Sequence, residues 1–109
     1  VLKFPGYTQL RNEPDIVVWD LLAGDETCGI ALRAAHSMRE HDRYTAGLHH
    51  LAWRAESRAA VDALHGLLRG LNATVLDAPA DYPQYGAGYY AVFFADPDGL
   101  KLEFVHYPQ

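Results

Sequence analysis

Two short stretches carry the residues best suited to chemistry. Gly47-Leu48-His49-His50-Leu51-Ala52-Trp53 sets imidazoles near the start of one apolar run, and Asp96-Pro97-Asp98-Gly99-Leu100-Lys101-Leu102-Glu103-Phe104-Val105 sets a carboxylate inside another. Either group is costly to bury alone among apolar side chains. A bound divalent cation would offset that cost for both at once, since a neutral imidazole nitrogen and a carboxylate oxygen suit Mn, Fe(II), Ni or Zn. With coordination positions left open, the cation would polarise a carbonyl or a pair of vicinal oxygens on a small substrate. The plainer alternatives are a histidine satisfied by a neighbour and a Glu103 ion-paired with Arg54 or Lys101.

These residues need a scaffold, and the pattern along the chain supplies one. Strands are predicted over 7–12, 16–22 and 28–34, with turns at Glu13-Pro14-Asp15 and Ala23-Gly24-Asp25-Glu26. Residues 36–45 are polar and read as a linker. Residues 48–55 form a further strand. Ser57 is a suitable N-cap for a helix to about Leu71, with Ala60, Leu64, Leu67, Leu68 and Leu71 at helical spacing on one face. Asn72 suits the left-handed residue that ends a helix. Strands over 73–78, 89–95 and 100–107 follow, separated by a Pro-, Gly- and Tyr-rich loop over 79–88 and by the turn Asp96-Pro97-Asp98-Gly99. The order is βββ, linker, βαβββ. Val18-Trp19 and Ile30-Ala31-Leu32 mirror Val92-Phe93 and Leu100-Lys101-Leu102, which suggests a repeat whose first copy lacks its opening strand and helix.

Composition narrows the partners. The chain has 109 residues, half of them hydrophobic and 21% charged, as in a folded globular domain. A net charge of -5 and the lack of a Lys/Arg cluster argue against nucleic acid and against an anionic membrane surface. Cys28 is the single cysteine, so an intrachain disulfide and a Cys-based zinc site are both excluded. The start, Val1-Leu2-Lys3-Phe4-Pro5-Gly6-Tyr7, has no signal-peptide pattern, and the cytoplasm is the expected compartment.

A βαβββ unit with His-Leu-Ala-aromatic on its first strand and Asp-Pro-Asp-Gly-x-x-x-Glu leading into its last resembles the vicinal oxygen chelate superfamily, the glyoxalase, bleomycin-resistance and extradiol-dioxygenase group. The resemblance is specific over 47–107 and loose over 1–35. It implies an α+β fold in which two modules form a mixed, curved sheet, a cup around a metal. The chain then reads as one glyoxalase-like domain: a partial first module over 1–35, a linker over 36–46 and a complete second module over 47–109. The resemblance implies His50 and Glu103 as metal ligands, with His49 on the opposite face of the strand. The first module offers only Leu32 or Arg33 where a carboxylate would stand, which is similar to members with two His and one Glu. The third ligand would then lie on the first module's opening strand, part of roughly 20 to 25 residues, one strand plus one helix. Either a longer chain or a partner chain would complete the cup.

The implied function is that of a divalent-metal-dependent enzyme acting on a small oxygen-rich substrate through lyase, isomerase or dioxygenase chemistry. The alternative is a metal-free binding protein of the bleomycin-resistance type that shelters a planar ligand. Tyr89 or Tyr90 could place a phenol near the metal, and Tyr90 and Arg54 are the candidate catalytic groups. Trp53, Tyr82, Tyr85 and Phe93 are the candidate walls of the substrate site, and 81–88 is the candidate lid. An exposed sheet edge would favour a homodimer, with exchanged strands as one form of it.

Overall fold

The computed structural model describes residues 1–108. The chain forms two compact units, Val1–Met38 and Arg39–Gln109. The fold is α+β, with seven strands in two sheets and one helix among the described residues.

The first unit is an antiparallel sheet of β1 (Thr8–Asn12), β2 (Ile16–Ala23) and β3 (Glu26–Arg33) in that order. Strands β2 and β3 pair without interruption from Ile16↔Arg33 to Ala23↔Glu26. Their two-residue turn has Gly24 at φ 64°, a left-handed conformation in which glycine avoids the usual Cβ penalty. Strand β3 begins two residues earlier than the β-branched pattern indicated, because this tight turn lets pairing start at Glu26.

The second unit runs β4 (His50–Arg54), α1 (Arg58–Gly70), β5 (Thr74–Asp81), β6 (Tyr90–Ala95) and β7 (Lys101–His106). Its strands lie in the order β4-β7-β6-β5, so the first and last strands of the unit are neighbours. Strand β4 is parallel to β7, and β6 is antiparallel to both β7 and β5, which makes the sheet mixed. Residues ahead of β4 also belong to this unit. The His41 amide donates to the Asp98 carbonyl at 2.8 Å, and His41 Nε2 lies 2.9 Å from the Leu48 carbonyl.

Helix α1 starts where Ser57 Oγ accepts from the Ala60 amide at 3.0 Å, satisfying one of the free donors of the first turn. It ends at Leu71, followed by Asn72 at φ 55°. Val61, Leu64 and Leu68 are its buried residues, and they pack on Ala55, Val92, Phe94 and Phe104. Leu67 and Leu71 are exposed, at 38% and 56%. The apolar stripe is therefore turned from the expected one and takes in Val61, because 61, 64 and 68 complete the 3–4 spacing that faces the sheet.

Strand β5 continues through Pro79 to Asp81, where a loop was expected. It is an edge strand, and its register with β6 shifts between Asp77 and Ala80. A proline is tolerated there because its missing N–H breaks no central ladder bond.

Alternation along the strands gives the second sheet two different faces. Trp53, Leu102, Phe104, Tyr90, Val92 and Phe94 belong to the core under α1. Register places His50, Ala52 and Arg54 beside Lys101, Glu103 and Val105 on the other face, with Ala91, Phe93 and Ala95 completing the row. Leu68, 1% exposed, tests the helix register. Leu68→Ala is expected to lower stability by about 2–5 kcal/mol, and Leu71→Ala by less than about 1 kcal/mol, both read by urea denaturation. Equal losses would contradict the orientation of α1.

Candidate functional site

Glu103 stands in the middle of β7 with its side chain only 3% exposed. Ala52 of β4 and Phe93 of β6 flank it in the ladders, so neither residue paired directly with it carries a charge. Two polar groups reach it. His50 Nε2 lies 3.3 Å from Oε1, with the imidazole about one-third exposed. The Tyr89 hydroxyl donates to Oε2. Tyr89 comes from the loop before β6. Burial, the bond to Glu103 and the carboxylate's field together push its phenol well above the ordinary tyrosine range.

The other ring nitrogen of His50 is engaged as well. His49 Nδ1 and His50 Nδ1 are 2.8 Å apart and share one hydrogen bond. The His49 ring stands edge-on to both His50 and Tyr44. Desolvation, then the charges of His50, Lys101 and Arg43, lower the basicity of His49.

The donors fit a shared cation in type and spacing. Ligand bonds of roughly 2.1 Å set two adjacent donors about 3.0 to 3.4 Å apart, and Nε2 and Oε1 are separated by 3.3 Å. Among the described residues no group of three His, Cys, Asp or Glu converges. The described chain thus offers two donors, and further ligands would come from solvent, substrate or protein outside these residues.

The remaining residues expected at the site divide between the two faces. Phe93 lies on the Glu103 face, 6% exposed, with Lys101 Nζ 4.6 Å from its ring centre. Tyr82 packs edge-on against Phe93, and Tyr85 stacks on Tyr82. Arg54 shares the face of His50, but its guanidinium donates to the Tyr107 carbonyl at 2.8 Å and lies 4.3 Å above the Tyr107 ring. Trp53 and Tyr90 are on the opposite face. Trp53 packs in the core under α1. Tyr90 donates to Asp62 Oδ1 at 2.6 Å beneath the Arg58 guanidinium, which also binds Asp81. Strand alternation separates both from Glu103: Trp53 has the parity opposite to His50, and Tyr90 the parity opposite to Phe93.

Of the two tyrosines weighed for a phenol near the metal, Tyr89 reaches Glu103 and Tyr90 does not, and His49 is exposed and hydrogen-bonded to His50. The Tyr89 signal was present in the pairing. Phe93 opposes Glu103, and counting back in twos from Phe93 reaches Ala91 and then Tyr89. For His49 the strand rule does not apply, because β4 begins at His50.

The candidate lid is closed by its own backbone. Tyr82 donates to the Tyr89 carbonyl, Tyr85 to Tyr82, Gly86 to Pro83 and Tyr89 to Gly86. Beside it is a cavity of about 430 Å³ lined by Ala52, Tyr85, Gly86, Ala87, Tyr89, Val105, Tyr107 and Pro108. Ala52, Tyr89 and Val105 place this space next to Glu103 on the same face. The Tyr89 bond has a consequence in alkali. Its folded-state pKa lies above the unfolded value, so its contribution is complete below about pH 10 and is lost as pH rises through the folded value. Spectrophotometric titration should show a late-ionising tyrosine that disappears in Tyr89→Phe; an unchanged late step would contradict the contact.

Comparison with known proteins extends this geometry. The family model for the Glyoxalase/Bleomycin resistance protein/Dioxygenase superfamily matches residues 7–104. The uncharacterised protein YqjT of Bacillus subtilis (strain 168) is 41% identical over 66 residues, which are 61% of this chain and 52% of YqjT. The match spans about half the length of that relative. A crystal structure of a glyoxalase-like protein from Bacillus halodurans is 26% identical with a TM-score of 0.72, over 97% of this chain and 79% of the other. A glyoxylase/bleomycin resistance protein/dioxygenase domain from Frankia sp. EAN1pec shares the fold, with 19% identity and a TM-score of 0.69 over 94% and 79% of the two chains. Sequence and fold thus agree, and the chain belongs to the Glyoxalase/Bleomycin resistance protein/Dioxygenase superfamily.

Proposed function

We propose that the chain supplies two ligands, His50 and Glu103, to a catalytic divalent-metal site that acts on a small oxygen-rich substrate. Members of the superfamily generally bind divalent metals and small molecules. The observation that carries the reading is the approach of His50 Nε2 to Glu103 Oε1 at 3.3 Å, with the carboxylate buried. An imidazole–carboxylate pair of this kind suits Mn, Fe, Ni or Zn. When bound, such a cation would supply Lewis-acid chemistry at paired substrate oxygens, which covers lyase and isomerase reactions, and a redox-active Fe or Mn together with O2 would extend it to dioxygenase reactions.

The chain's own residues would do the rest. Phe93, Ala91 and Val105 keep water from the inner side of Glu103, so its charge is directed toward His50. Tyr85, Tyr89 and Tyr107 line the adjoining cavity and offer aromatic faces to a substrate. Arg54 belongs to the same face but is engaged by the Tyr107 carbonyl, so it would meet an anionic substrate only by exchanging that partner. Residues outside the described chain would complete the ligand set, and a homodimer is one source of them.

The tyrosine-lined cavity also supports a second reading, a metal-free binding protein for a planar small molecule. One experiment separates the two. The protein is expressed with Mn, Fe, Ni and Zn in the medium, dialysed, and assayed for metal, beside His50→Ala and Glu103→Ala. The enzyme reading expects metal in the wild type and a loss of at least about tenfold in each variant, the scale already seen on losing an outer-shell partner. Equal, negligible metal in all three would overturn it and leave the binding reading.

A further inference from the structure

We propose that Arg43 and Lys101 form an anion subsite beside His49 and His50, so that the small molecule bound on this face carries an oxyanion group, a carboxylate or a phosphoryl group. The inference deepens the small-molecule reading above and rests on its placing the site on the face of His50 and Glu103.

Residues 39–49 form a strap that brings Arg43 to this face. The His41 amide donates to the Asp98 carbonyl, and the His41 ring meets the Leu48 carbonyl. Between these anchors Asp42 closes a turn. Its Oδ1 accepts from the Tyr44 amide at 2.9 Å, and its carbonyl accepts from the Thr45 hydroxyl at 2.8 Å. Arg43 stands inside that turn. Its guanidinium carbon lies 5.5 Å from the centre of the Tyr44 ring, and Tyr44 meets His49 edge-on, as His49 meets His50. Lys101 arrives by another route. It pairs with His50 in the β4–β7 ladder, and its Nζ lies 4.6 Å from the centre of Phe93, the residue opposite Glu103. The charges of both cations reach His49, where they lower its basicity.

Both cations lack a counter-ion. The ion pairs among the described residues join Arg11 to Glu13, His50 to Glu103 and Arg58 to Asp81. Arg54, on the same sheet face, is taken by the Tyr107 carbonyl and ring. The acids in the strap and in the turn it meets have other places. Asp42 serves the Tyr44 amide, Asp96 serves the amides of Asp98 and Leu100, Glu40 lies against Gly99, and Asp98 is exposed. Arg43 Nε is buried and has no hydrogen-bond partner. A guanidinium N–H left in that condition is costly, and a ligand that satisfies it recovers the loss.

An oxyanion supplies what both cations lack. The guanidinium is a planar fork that matches the oxygens of a carboxylate or phosphoryl group, and the ammonium adds a point charge. Arg43 Nε has no protein hydrogen bond to give up when the side chain turns toward such a group. The Tyr44 and Phe93 rings support the two cations. Both side chains are half-buried, so each attracts an anion more strongly than a cation in open water would. In a chain of net charge -5, two unneutralised cations beside one histidine pair are a local exception that favours a negative ligand there.

The test titrates inorganic phosphate, and separately acetate, into the full chain at constant ionic strength, with EDTA present so that no metal takes part. Binding is read by calorimetry and from the Arg43 Nε–H signal in nitrogen–proton correlation spectra. Arg43→Gln and Lys101→Gln are compared with Arg69→Gln, a control on the exposed side of α1. The expected result is a saturable shift of the Arg43 signal, a weakening of about tenfold in each of the first two variants, the scale of a lost charge-assisted hydrogen bond, and no change in Arg69→Gln. The anion that binds more tightly names the group. Binding of neither anion, or equal weakening in all three variants, would overturn the inference. Should a variant fail to fold, the wild-type Arg43 signal decides: a shift supports the subsite, and its absence at saturating anion overturns it. Failure of the metal reading is distinct. Metal held by His50 and Glu103 without anion binding removes only this subsite, and anion binding by a chain that retains no metal removes only the metal reading.

Discussion

The constraint on which the site depends is a negative charge held inside a sheet. Glu103 sits mid-strand in β7 with apolar neighbours in both ladders and almost no contact with water. A carboxylate in that position gives up its hydration and must recover it from oriented donors or from a cation. The second unit supplies a phenol on one oxygen and an imidazole near the other. Each belongs to a different segment, one to β4 and one to the loop before β6. The carboxylate therefore holds together parts of the chain that are far apart in sequence.

The sheet can carry this charge because its two faces do different work. Helix α1 covers one of them with Val61, Leu64 and Leu68 against Phe94, Phe104 and Val92, a wholly apolar contact. The crossover that makes β4 and β7 parallel neighbours brings His50 onto the same face as Glu103. The apolar core thus lies on the helix side and the candidate site on the other, and a one-residue slip of β7 would exchange Glu103 with a core residue such as Phe104. The polar groups at the helix side, Arg58, Asp62, Asp81 and Tyr90, tie α1 to β5 and β6 at the margin and leave the acid side untouched.

Much of this was legible in the sequence, and the failures have definite causes. The βαβββ order, the Ser57 cap and the left-handed Asn72 follow from local rules that tertiary packing does not override. The family resemblance, carried by the His-Leu-Ala-aromatic and Asp-Pro-Asp-Gly-x-x-x-Glu motifs, agrees with the family match over 7–104. Which of Tyr89 and Tyr90 faces Glu103 stayed open because adjacent tyrosines differ only in parity, and parity needs the β6–β7 register. Trp53, expected as a wall of the substrate site, lies in the core under α1, because on a strand adjacency in sequence to Ala52 means the opposite face. The extent of β5 was hidden by Pro79, which reads as a loop signal until the strand is known to lie at an edge.

Family membership fixes the scaffold and leaves the chemistry to the site, since one fold serves many reactions. In this chain the chemistry turns on whether the space between His50 Nε2 and Glu103 Oε1 attracts a cation. The most direct measurement is a crystal structure grown with manganese and recorded for its anomalous scattering. The account expects one anomalous peak within bonding distance of both atoms, with the Tyr89 hydroxyl still on Oε2. No peak there, with the imidazole and the carboxylate bonded only to each other and to their protein neighbours, would contradict it.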